Sequence, residues 1–151
     1  MADRPEDGTL FAFFNEIGII AQLSRTVMEA ELPVGLIAPH FGVVNHLVRV
    51  RDGQTPLTLA RAFQVPKTTM THTLAGLEKA GLITFAPNPK DARSKCVWLT
   101  DKGRTFREET ISTLGPPFAE LLTEVDPDAI RAALPLLTRI RQVLDTMRDT
   151  D

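Results

Sequence analysis

Five of the six residues from Lys67 to His72 carry polar side chains of a selected kind: Lys67, Thr68, Thr69, Thr71 and His72 supply an ammonium, three small hydroxyls and an imidazole. Met70, Leu74 and Leu77 recur at helical spacing and claim the other face of the same helix for a core. Short hydroxyls and donors near the start of an exposed helix suit contacts with phosphates, base edges and thymine methyls, because none has the bulk that would hold the helix out of a major groove. A second cluster follows at Lys90, Asp91, Arg93 and Lys95. An arginine carried on a thin β-ribbon fits a minor groove too narrow for a helix, and Asp91 is placed to orient Arg93 through a bidentate ion pair. Bond-making chemistry is not in view. The chain has no Gly-rich phosphate loop, no activated Ser or Cys motif and no convergent carboxylate pair, so it reads as a non-enzyme without a cofactor. His40, His46 and His72 lack metal-ligand spacing, and the lone Cys96 has no partner for an intramolecular disulfide.

These clusters need elements to hold them. Apolar residues from Leu10 to Val27 recur at helical spacing on more than one face, and Pro33 with Gly35 ends that helix. A second helical pattern starts at Pro39 and includes Phe41, Val44, Leu47 and Val48. Leu57–Phe63 gives a short helix, the Val65-Pro66 step a turn, and Lys67–Ala80 another helix closed by Gly81. The pattern then becomes extended: Leu82–Ala86 and Lys95–Leu99 are β-prone runs separated by PNPKDARS, which predicts a hairpin with a long loop. Thr100 and Asp101 cap a following helix that meets Gly115-Pro116-Pro117, where a kink or break is expected. Asp126-Pro127-Asp128 opens the last helix, which carries Pro135 and an apolar stripe from Ile130 to Met147. The order TLARAFQVPKTTMTHTLAGLEKAGLI is that of a helix-turn-helix, with a short helix bracing a second one.

Charge supports an anionic partner once it is resolved along the chain. The whole chain is at −2, yet residues 61–107 hold nine basic residues against three acidic ones, a segment at +6 whose flanks sum to −8. The acidic start MADRPEDGTL does not resemble an export signal, and no apolar run has membrane length, so a cytoplasmic location without membrane contact is expected.

The stretches LIAPHFGVVNHL, LARAFQVPKTTMTHTLAGLEKAGLI and DARSKCVWLTDKG together resemble successive signatures of the MarR family of bacterial transcriptional regulators, the Asp-x-Arg followed by Leu-Thr-x-x-Gly being the most diagnostic. The resemblance implies a mainly α (α+β) winged helix-turn-helix fold with long N- and C-terminal dimerisation helices. It implies a single domain over 1–151, with a winged-helix lobe at 36–103 and dimerisation helices at 8–32 and 104–149. It further implies a homodimer on double-stranded DNA with an inverted-repeat operator, and a small-molecule effector whose pocket is bordered by His40 and Phe41. Members often carry arginine where this chain has His72 and a basic residue where it has Phe85, so phosphate contacts differ here. The cysteine of the peroxide-sensing branch lies near the start of the first helix, whereas Cys96 falls in the wing. The rival expectation is a winged-helix module that holds a protein partner without reading DNA.

Overall fold

A computed structural model describes residues 6–149, which fall into two compact units that meet in sequence between Leu114 and Gly115. In the first, α1 (Asp7–Glu31) is a long helix followed by α2 (Ala38–Arg49), α3 (Pro56–Phe63) and α4 (Lys67–Lys79). Val43, Val44 and Leu47 of α2, Leu59 of α3, and Met70, Leu74 and Leu77 of α4 are all 2% exposed or less and form one core with Ile83 and Val97. Full burial of each such side chain is worth about 1.5–3 kcal/mol.

Local chemistry sets the boundaries. Thr55 caps α3 by accepting the Thr58 N–H at 3.2 Å, with Pro56 in the first turn where its missing donor costs nothing. The turn between α3 and α4 is made by Gln64 at φ +52°, one residue before the Val65-Pro66 step expected from sequence. Gly81, at φ +76°, ends α4: its N–H reaches Glu78 O at 2.9 Å and the Leu82 N–H reaches Leu77 O at 3.0 Å, the paired bonds of a Schellman turn.

Strands β1 (Ile83–Pro87) and β2 (Lys95–Leu99) form the expected antiparallel hairpin, with Phe85 opposite Val97 and Pro87 opposite Lys95. The first strand is displaced by one residue from the Leu82–Ala86 run, because the turn closing α4 uses Leu82. Gln54 adds a bridge to Val97 that widens the base of the hairpin. Thr100 then caps α5 (Asp101–Thr113) by accepting the Gly103 N–H at 3.0 Å.

The helix breaks before Gly115-Pro116-Pro117, with Thr113 its last residue. The second unit holds the short α6 (Gly115–Ala119) and α7 (Leu121–Glu124), then α8 (Pro127–Arg148), capped by Asp126 Oδ1 on the Asp128 N–H at 2.9 Å and continuous through Pro135. None of these three helices contains a buried residue.

Candidate nucleic-acid interface

Two projections of the first unit bring the sequence-singled residues to the surface. On α4, the Met70–Leu74–Leu77 face is consumed by the core, and Lys67, Thr68, Thr69, Thr71 and His72 are all exposed. Their hydroxyls are not equivalent. Thr71 Oγ1 donates to Lys67 O at 2.9 Å, so its proton is committed to the helix and its methyl and lone pairs face outward. Buried Thr73 makes the same back-bond to Thr69 O at 3.1 Å. No such bond engages Thr68 or Thr69 among the described residues, which leaves both hydroxyls for an external acceptor or donor.

The hairpin loop is the second projection, and it is ordered by its own short side chains. Asn88 Nδ2 donates to Ser94 Oγ at 2.8 Å across the loop, and Asn88 Oδ1 accepts the Lys90 N–H at 3.0 Å. Asp91 Oδ1 accepts both the Arg93 backbone N–H at 3.0 Å and Arg93 Nε at 3.2 Å. The ion pair is therefore single-pronged at one oxygen, not bidentate, because that oxygen is already turned inward to close the loop. The Arg93 side chain stays 92% exposed. Lys90 and Lys95 are exposed beside it and have no ion-pair partner among the described residues.

The base of this hairpin is fastened by a residue that carries no local sequence signal. Asp52, in the α2–α3 connection, accepts the Gly53 N–H at 2.9 Å and the Leu99 N–H at 3.0 Å through Oδ1, and Arg104 at 3.0 Å through Oδ2. Gly53, at φ +72°, lies beneath the Trp98 ring, which a Cβ there would meet at 2.5 Å. The Leu-Thr-x-x-Gly motif fastens the same region to α4. Thr100 Oγ1 reaches Gly81 O at 2.6 Å and Lys102 Nζ reaches Ala80 O at 2.9 Å. Gly103 must lack a side chain, since its Cβ would fall 2.2 Å from Leu82 O. Helix and hairpin are thus mounted on one frame at a fixed spacing.

Behind α4 lies a cavity of about 970 Å³. His72, Ala75, Gly76 and Lys79, at i, i+3, i+4 and i+7, make one wall. The Pro33–Leu36 segment, His40, Leu82, Lys102, Phe106 and Glu109 contribute to the others. His40 lines this cavity, whereas Phe41 turns into the core, edge-on to Phe106 at 6.2 Å. His72 has a double position, exposed on α4 and part of the cavity wall. Burial, followed by the charge of His72, lowers the pKa of His40 below 6.5. Cys96 is buried within β2. Among the described residues no group of three or more His, Cys, Asp or Glu side chains converges to hold a metal ion, and no helix is long and apolar enough to cross a membrane.

A family model described as MarR family matches residues 34–94. Among solved structures, one titled as the crystal structure of MarR is 22% identical, covers 100% of this chain and 98% of its own, and superposes with a TM-score of 0.79. The wild-type apo MarR from E. coli is 24% identical over 91% of this chain and 98% of its own, with a TM-score of 0.71. A mutant MarR from E. coli, solved in complex with operator DNA, is 23% identical over 87% of this chain and 95% of its own, at 0.68. Residues 34–94 therefore match the MarR family model, and the chain as a whole has the winged helix-turn-helix fold of the MarR structures it resembles.

Proposed function

We propose that this chain is a homodimeric, sequence-specific regulator of transcription, most simply a repressor, that reads an inverted-repeat DNA operator with α4 in the major groove and the hairpin in the adjoining minor groove. The observation that carries the reading is the rigid mounting of two exposed, basic projections on one frame, α4 through Lys102 and Thr100, the hairpin through Asp52. The operator complex of a MarR of the same fold supports it. Lys67, Lys90 and Lys95 neutralise phosphates; Thr68, Thr69, Thr71 and His72 face base edges; Arg93, steadied by Asp91, enters the minor groove. Dimerisation rests on the exposed apolar faces of α1 and α8, which one chain leaves uncovered: Phe11 is 73% exposed, Leu23 63% and Leu134 55%.

The cavity behind α4 serves a small organic effector, being of the size that holds such ligands. Lys79 and Lys102 against the single carboxylate of Glu109 favour an anion there. Such a ligand lowers operator affinity only by binding the DNA-free form more tightly.

The test is a site selected from random DNA, followed by salt-dependent binding of the wild type and of Arg93→Ala. An inverted repeat with half-sites roughly 10 bp apart is expected. Arg93→Ala should weaken operator binding by about 1–3 kcal/mol while leaving fold and dimer intact. Binding by Arg93→Ala equal to that of the wild type would remove the hairpin from the reading, and failure to enrich any duplex would favour a protein-binding module.

A further inference from the structure

His40 occupies the third position of α2, where its Nδ1 accepts the backbone N–H of Ile37 at 2.9 Å. Ile37, the residue preceding the helix, has no side-chain acceptor of its own, and its N–H is held by this bond from the third position, the place where Glu or Gln ordinarily caps. The bond also fixes the protonation state. Nδ1 must present a lone pair, so the proton of the neutral ring sits on Nε2, the edge that lies close against Gly76 of α4, where a Cβ would come within 2.7 Å. A second proton has to go to Nδ1, and there it points at the N–H donor it displaces.

The resulting cation is badly placed on every side. It sits in the first turn of a helix, at the positive end of the dipole, and α2 has no acidic residue in that turn. From α4 the cavity wall brings His72 and Lys79, and from α5 Lys102; Glu109 of α5 is the one carboxylate on that wall. Glu29 of α1, the other nearby acid, is committed at 2.9 Å to the Ala38 N–H.

We propose that His40 is a proton-operated latch: the neutral ring caps α2 and steadies the Pro33–Leu36 wall of the cavity, and the protonated ring releases Ile37 and repels His72 of α4. Burial, which lowers the basicity of His40, places the release below pH 6.5. The latch is a property of the free protein. Its consequence for DNA rests on the reading of α4 given above, through His72.

Amide exchange of the full-length protein, expressed as protection factors between pH 7.5 and pH 5, tests the latch without DNA. In the wild type the protection of the Ile37 amide should fall about tenfold as His40 titrates, the equivalent of losing one hydrogen bond. His40→Gln supplies a cap that does not titrate, and its Ile37 protection should stay flat. His72→Asn removes the facing charge and should move the wild-type transition to higher pH. A flat Ile37 protection factor while the His40 ring titrates overturns the latch, and so does the same acid transition persisting in His40→Gln. Operator affinity over the same pH range tests the last link separately. A larger acid loss in the wild type than in His40→Gln supports it; equal pH dependence, with the latch intact in the free protein, removes the coupling to α4.

Discussion

From Ala38 to Phe106 most of the large apolar side chains are consumed by or packed against one core, with Leu47, Leu59, Leu74, Leu77 and Val97 at 1% exposure or less and Val50, Leu57 and Trp98 the exposed exceptions. In the second unit, leucines at equally regular helical spacing have the opposite fate: Leu134 is 55% exposed, Leu136 54% and Leu144 47%. The two regions share a composition and differ in whether their apolar faces meet within one chain. A stripe that is covered stabilises the fold at once; a stripe that is uncovered is a liability in water until something of the same chemistry lies on it. The winged lobe is therefore specified from within, whereas α8, and α1 with Phe11 and Leu23 on its surface, carry the apolar faces that the proposed second copy would cover.

The largest effect should come from attacking the uncovered region. Leu134→Asp with Leu144→Asp is expected to convert the proposed dimer to monomer in sedimentation at micromolar concentration, while the lobe keeps its secondary structure. A dimer that survives the double change would place the interface elsewhere. In the lobe, Leu74→Ala should cost about 2–5 kcal/mol in denaturant unfolding, since it opens a void where neighbours cannot collapse. The same truncation at Leu136 should cost the isolated monomer far less, and equal costs would erase the contrast between the regions.

A pH series probes the lobe more gently. Burial lowers the pKa of both His40 and His46 below 6.5; at His46 a hydrogen bond donated to Gln54 opposes the effect and Arg49 adds to it. The unfolded chain then binds more protons than the folded one, so stability is complete above pH 6.5 and is lost as pH falls through the folded values. Melting temperatures of the wild type should drop between pH 7 and pH 5 more than those of a His40→Gln, His46→Gln protein; parallel curves would assign the acid response to other groups. The smallest effect is expected at Asp91. Its pair with Arg93 is exposed and single-pronged, so Asp91→Ala should reduce operator affinity by less than about 1 kcal/mol. A loss as large as that of Arg93→Ala would mean that the loop, and not the arginine alone, makes the contact.

Most of the architecture was legible in the residues because it is written in local chemistry. The periodicity of Met70, Leu74 and Leu77, the caps at Thr100 and Asp126, the φ requirement met by Gly81 and the turn-rich PNPKDARS loop each act within a few residues, and each marks an element boundary to within about one position. The exposed face of α4 and the Arg93 tip followed from the same patterns, since a helix with one apolar face must show its other face to solvent. What tertiary structure alone decided are the contacts between residues far apart in the chain. Asp52 meets Leu99 and Arg104 across 47 and 52 positions, and nothing in its neighbourhood marks it as the clasp of the hairpin. Phe41 and His40 are adjacent, yet one enters the core and the other lines the cavity, because the path of α2 over α4 and α5, not the residue type, determines which side each faces. Local sequence dictates which conformations are cheap; only packing determines which side chains then find one another.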